Sequence, residues 1–136
     1  MGTPSEDLQK AVRAALLADA DVAAVVGTRV RDGRPLEGDD AQITFGPSDY
    51  VPDDMDCIDA RVETIQLDCW VRDSTGALHP ARALADKVKA VVHGAELALD
   101  THALANLRVV GVRAMMDADG LTGHGIVTVE ALVEER

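Results

Sequence analysis

The stretch from Glu63 to Gly94, ETIQLDCWVRDSTGALHPARALADKVKAVVHG, decides the fold, because its hydrophobic period changes in the middle. Ile65, Leu67, Cys69 and Val71 alternate with Gln66, Asp68, Trp70 and Arg72, the period of two that sets one series of side chains on a sheet's buried face. Asp73, Ser74, Thr75 and Gly76 then supply turn and helix-cap chemistry. After them Ala81, Leu84, Val88, Val91 and Val92 recur at spacings of three and four, with Arg82, Asp86, Lys87 and Lys89 opposite, which predicts an amphipathic helix. Pro80 is tolerated only in a first turn, so the helix is expected to start between Gly76 and His79, and Gly94 offers a stop.

Upstream, Thr3, Pro4, Ser5 and Glu6 form a helix start, with Thr3 as cap, Pro4 at the first position and Glu6 closing a capping box. Leu8, Val12 and Leu16, flanked by Ala11 and Ala15, give that helix its apolar stripe. Asp19 or Asp21 caps a shorter helical piece through Val22, Val25 and Val26, which Gly27 ends. Thr28 to Asp32 reads as a short strand and Gly33 to Asp40 as a loop; Ala41 to Gly46 reads as a better strand. Pro47 to Asp56, with two prolines and four aspartates, reads as a long surface loop, and the next strand is expected near Ile58. Ile58, Ala60 and Val62 are apolar at even positions, out of phase with the odd set from Ile65. Either a bulge sits near Glu63 or the first half of the strand faces a partner.

Downstream, Ala95 to Ala105 is ambiguous. Leu107 to Met116, with Val110, Val112, Ala114 and Met116 on one face, and Ile126 to Glu134, with Val127, Val129, Ala131 and Val133 on one face, read as a paired hairpin. Its connection, Asp117 to Gly125, is expected to protrude.

A chain of 136 residues is expected to form a single domain spanning 1–136. No apolar run reaches the length of a transmembrane span or signal peptide, so the expectation is a soluble protein made in the cytoplasm, without a membrane. Cys57 and Cys69 lack CxxC spacing and read as two reduced thiols. Phe45, Tyr50 and Trp70 are the only aromatic residues, which leaves the core to Val, Leu, Ile and Ala and removes the stacking platform of single-strand binders. A net charge of −11 repels phosphate and disfavours tight DNA binding; it suits either plain solubility or a basic partner.

Carboxylates cluster at Asp39 and Asp40, at Asp53, Asp54 and Asp56, and at Asp117 and Asp119, without the ligand order of a calcium loop. His79, His93, His102 and His124 are scattered and never take a zinc-like spacing. Ser74 and Thr75 have no neighbouring base, and Gly120, Gly123 and Gly125 lie between strands rather than before a helix. No catalytic, cofactor or metal site is assigned, and the chain is read as not an enzyme. Trp70 falls on the sheet face opposite the helices, among Asp68 and Arg72. It either fills a neighbouring subunit's pocket, in which case Trp70→Ala weakens assembly more than folding, or is covered by a loop or stacked on a cation.

Three stretches taken in order, LQKAVRAALLADADVAAVVGTRVRDGRP, LDCWVRDSTGALHPARALADKVKAVVHG and VRAMMDADGLTGHGIVTVEALVEE, resemble the tail-completion or tail-terminator family of long-tailed phages, prophages and gene transfer agents. The likeness covers nearly the whole chain. It consists of a first helix leading to AAVVGTRV, a strand ending in CWVR before an alanine-rich helix, and a last hairpin around DADGLTGHG; the loop from Pro47 to Asp56 departs from it. The resemblance implies a small α/β subunit whose sheet is backed by helices. With the periodicities, this predicts an α+β fold: one mixed, mainly antiparallel sheet of about four to five strands with helices on one face. It also implies a hexameric ring in the virion tail that caps the completed tail tube, stops its polymerisation and meets the neck or connector protein, with DNA passing through the lumen unbound.

A ring built from one repeated contact needs two different patches per subunit. The candidates are Ile58, Ala60 and Val62 before the phase break, Trp70 and Arg72, and Asp117, Asp119, Leu121 and His124 in the last connection. Six copies at −11 each carry roughly −66, so such a ring is expected to assemble poorly alone at low salt. The alternatives are a head-tail connector subunit, an acidic binding module, or, from a different class, a small metal-dependent enzyme using the loop carboxylates.

Overall fold

In the computed structural model, which describes residues 2–38, 40–73 and 75–136, the chain begins with the expected capping box. Thr3 Oγ1 accepts the Glu6 N–H at 3.2 Å and Glu6 Oε2 accepts the Thr3 N–H at 3.0 Å, satisfying two donors that a helix start leaves open. Helix α1 runs Pro4–Ala18 and buries Leu8, Val12 and Leu16. Of the two possible caps for α2 (Ala20–Val26), Asp19 is the one used, accepting the Val22 N–H at 3.0 Å.

The remaining elements are β1 (Val30–Asp32), β2 (Gln42–Pro52), β3 (Ala60–Arg72), α3 (Leu78–Val92), β4 (Ala103–Met116) and β5 (Thr122–Glu134). The strands form one sheet in the order β1-β2-β3-β5-β4, in which only β1 and β2 run parallel. This is the mixed, mainly antiparallel α+β sheet that the resemblance and the periodicities together imply. Ile65, Leu67 and Cys69 of β3 and Val127, Val129, Ala131 and Val133 of β5 share one buried cluster with Leu8, Val12 and Leu16 of α1, Val22 and Val26 of α2, and Leu84, Val88 and Val92 of α3. All three helices therefore lie on one side. Each fully buried Leu or Val contributes about 1.5–3 kcal/mol relative to exposure, so these stripes account for most of the driving force.

Helix α3 sits unusually close to β5. A Cβ at Gly123 would stand 2.3 Å from the Ala77 carbonyl oxygen and 2.8 Å from Ala81 Cβ, and one at Gly125 would stand 3.0 Å from the Ala81 oxygen. Gly123 and Gly125 are thus packing residues: they let the N-cap Ala77 and the alanines Ala81 and Ala85 of α3 touch the sheet.

Several boundaries differ from the sequence reading. Pro47 to Asp56 is not a long loop. β2 continues to Pro52 and pairs with β3 as far as Pro52↔Arg61, forming a hairpin arm closed by a Met55↔Ile58 bridge, and β3 starts at Ala60 rather than Ile58. The prolines are admitted because β1 covers only Ile43–Phe45 of β2, so the rest of β2 is an edge, and Pro47 lies at the register shift between Phe45 and Ser48. That shift, in β2, replaces the bulge considered near Glu63: β3 pairs with β5 without interruption from Ala60↔Glu134 to Arg72↔Thr122. The even-phase Val62 therefore stands on the face away from the helices, opposite Val51 and Leu132.

The last connection is also shorter than expected, because β5 begins at Thr122 and only Asp117–Leu121 link the strands. β4 begins at Ala103, taking in part of the ambiguous segment. A register shift between Val109 and Gly111 puts Val109, not Val110, opposite core residue Val129. Helix α3 has Ala77 at its N-cap with no side-chain cap; Asp73 instead accepts the Thr75 N–H at 2.9 Å and its hydroxyl at 2.7 Å, and so builds the turn. Asp39 and Ser74, assigned above to a loop and a turn, lie outside the described residues.

Candidate functional site

The sheet face turned away from the helices carries a polar network centred on Trp70. Register places Trp70 between Gln42 of β2 and His124 of β5, and Asp68 beside Thr44 and Ile126. The Trp70 indole stacks on the His124 imidazole with ring centroids 3.8 Å apart and planes 11° from parallel. Its Nε1–H donates to Thr44 Oγ1 at 2.9 Å, and His124 Nε2 lies 2.7 Å from Asp68 Oδ1, which also accepts from Gln66 Nε2 at 2.9 Å. Thr44 is fully buried and Asp68 is 5 % exposed on the face away from the helices, the first bonded to Trp70 and the second to His124. Gly46 keeps this arrangement open, since a Cβ there would stand 2.4 Å from Asp68 Oδ2.

Beside the network lies a cleft of about 330 Å³ between the segment after β1 and the β4–β5 turn. Pro35, Leu36, Glu37, Asp40 and Gln42 line one side, and Trp70, Arg72, Asp117, Asp119 and Thr122 the other. Asp119 shapes the turn: its carboxylate accepts the Leu121 and Thr122 N–H groups, both at 2.8 Å, and the Thr122 hydroxyl at 2.6 Å. These bonds, the Thr122 hydroxyl first and then the backbone donors, hold the Asp119 carboxyl below the ordinary carboxylate range, with Arg72 adding a smaller pull. Among the described residues no group of three or more His, Cys, Asp or Glu side chains is placed to share a metal ion. Cys57 is exposed, whereas Cys69 is buried and its thiol is pushed well above the ordinary range, first by desolvation and then by the nearby Asp68 charge.

The candidate residues fall into two places. Trp70, Arg72, Asp117 and Asp119 meet at the cleft, with His124 stacked against Trp70 and Leu121, 38 % exposed, at the turn. Ile58 is at the end of the β2–β3 arm, far along β3 from Trp70, and Val62 is on the open face between them. Ala60 is 1 % exposed and offers no free surface. The sequence reading missed the rest of the arm, where Tyr50, Val51 and Met55 are each at least half exposed, and the β4 edge, where Val110, Val112 and Met116 are about two-fifths exposed. The available signal was apolar side chains set among aspartates and prolines.

Residues 10–134 match the family described as Tail completion protein gp17. The chain belongs to that family. Membership assigns it a structural role in tail assembly. Among solved structures, the fold superposes with a TM-score of 0.86 on a chain from the structure titled "Virion of native gene transfer agent (GTA) particle"; the two are 27 % identical, and the match covers 98 % of this chain and 99 % of the other. No curated protein matches. For a tail completion family member the relevant geometry is one of surfaces: a helix-backed sheet, a polar face with a stacked aromatic pair, and apolar residues exposed at both edges of the sheet.

Proposed function

We propose that this chain forms a ring that caps the completed tail tube, stops its polymerisation and joins it to the capsid neck, with DNA passing through the ring. The near end-to-end match to a protein of a gene transfer agent virion carries this reading, because it spans the whole subunit rather than a shared core. The distribution of surface supports it. Tyr50, Val51, Met55 and Ile58 at one end and Val110, Val112 and Met116 at the other are two unlike apolar patches, as a closed ring of one repeated contact needs. The net charge of −11 favours unhindered passage of DNA through the ring, since a strongly acidic subunit repels phosphate.

Electron microscopy of the purified chain mixed with its tube subunit tests the proposal. Rings seated on tube ends, with tube length fixed by their addition, are the expected result. Particles lacking the protein should carry tails of uncontrolled length; normal tails beside leaking heads would instead assign the chain to the connector side.

A further inference from the structure

The arm and the β4 edge are complementary in charge as well as in exposure. From Gln42 to Asp59 the chain has no Lys or Arg and carries Asp49, Asp53, Asp54, Asp56 and Asp59 around the exposed Tyr50, Val51, Met55 and Ile58. From Ala103 to Met116 it has no Asp or Glu, in a protein with 24 acidic residues, and carries Arg108, whose guanidinium lies 3.8 Å from Glu130 of β5, and Arg113 around Val110, Val112 and Met116. Beside β4 a shallow groove of about 270 Å³ opens against α3, lined by Arg82, Asp86, Val112, Arg113 and Ala114. Val112 and Ala114 are its apolar lining, Arg82 and Asp86 stand on the α3 side, and Arg113 adds a second arginine on the β4 edge.

We propose that the arm of one protomer docks on the β4 edge and α3–β4 groove of a second copy of this chain, which makes this the repeated contact of the ring; the inference rests on the ring reading. The two surfaces cannot meet within one subunit. Val51 pairs across to Val62 and Leu132, while Val112 pairs with Val127. Three strand steps of about 4.8 Å and about five residues at 3.3 Å along β5 separate them by roughly 20 Å. The contact is made by side chains rather than by extending the sheet, because Pro47 and Pro52 remove N–H donors from the arm's outer strand and register shifts interrupt β4. Since the surfaces differ, each docked copy presents a fresh arm and a fresh groove, so the contact propagates head to tail. Acidic arm against basic groove also fixes the pairing: arm against arm is repulsive.

The test is cross-linking of the full chain in a Cys57→Ser background, where Cys69 stays buried. Chains carrying both Val51→Cys and Val112→Cys are treated with a short bismaleimide, at raised salt and on tube ends. The expected result is a covalent ladder beyond the dimer. Either cysteine alone gives no ladder, and a mixture of the two single variants stops at dimers. Arg82→Asp with Arg113→Asp abolishes the ladder, and Asp53→Arg with Asp56→Arg in the same chain restores it, while circular dichroism shows all variants folded. Rings seen by microscopy without the ladder would overturn this contact and leave the ring reading standing. No oligomer in any condition, including on tube ends, would overturn both.

Discussion

The backbone at the start of α3 lies directly against β5 at Gly123, and Gly123→Ala tests this contact. The added methyl would stand 2.3 Å from the Ala77 carbonyl oxygen and 2.8 Å from both the Ala77 carbonyl carbon and Ala81 Cβ. Two of these three atoms are backbone, so no rotamer change relieves them, and the start of α3 must retreat by about 1 Å to reach ordinary contact distance. Overpacking of this kind costs about 1–3 kcal/mol, and contact with rigid backbone places it in the upper half of that range. For a chain of this size the loss corresponds to a fall of about 7–11 °C in Tm. Thermal unfolding followed by far-UV circular dichroism gives the value. Gly125→Ala, facing 3.0 Å to the Ala81 oxygen and 3.2 Å to Ala85 Cβ, should cost less, and Gly111→Ala, with nothing within 4 Å among the described residues, should cost nothing measurable. A Gly123→Ala protein that melts with the parent, or a Gly111→Ala protein that loses as much, would refute the packing argument.

Four further outcomes are expected. Trp70→Phe loses the indole donor to Thr44 and should cost about 0.5–1.5 kcal/mol, and Trp70→Ala, which also loses the stack on His124, should cost about 1–3 kcal/mol by denaturant titration. Trp70 therefore serves folding as well as any interface, and an unchanged Trp70→Ala midpoint would contradict its place in the network. Asp7 accepts the Thr101 and His102 N–H groups at 2.8 and 3.1 Å, which keep its carboxyl below the ordinary value. Its contribution is thus complete above about pH 4 and lost as pH falls through the lower folded value, so Asp7→Asn should flatten the acid limb of the stability profile below about pH 4. A thiol reagent should titrate one cysteine per native chain, the exposed Cys57, and two after unfolding. Light scattering should show self-association rising with salt, as screening relieves repulsion between subunits of charge −11; stable rings in dilute low-salt buffer would contradict this.

The elements that face the helix-backed core were legible because their burial imposes a period. Leu8, Val12 and Leu16, then Leu84, Val88 and Val92, and the strict alternation of β5 each report one buried face, and Thr3 and Glu6 mark a helix start by local chemistry alone. The arm was not legible for the opposite reason. Residues 47–52 are exposed, so no alternation is imposed, and edge position admits the prolines that elsewhere break strands. The phase change before Ile65 was visible, but its cause was not. Glu63 takes a core-side position, held by Ser5 Oγ at 2.7 Å and Arg61 Nη1 at 3.4 Å, and a buried carboxylate breaks the apolar pattern without breaking the strand. The site was half legible: Trp70 was singled out from its face, but its partners Thr44 and His124 are 26 and 54 residues away and follow only from register.

The central claim is that this tail completion family member closes a growing tube by ringing its end. Time-resolved electron microscopy of tube polymerisation, with the chain added at graded ratios to tube subunit, tests it most directly. Elongation should stop at ends that carry a ring while bare ends continue to grow. Tubes that lengthen at the same rate with the chain present, and end without rings, would contradict the account.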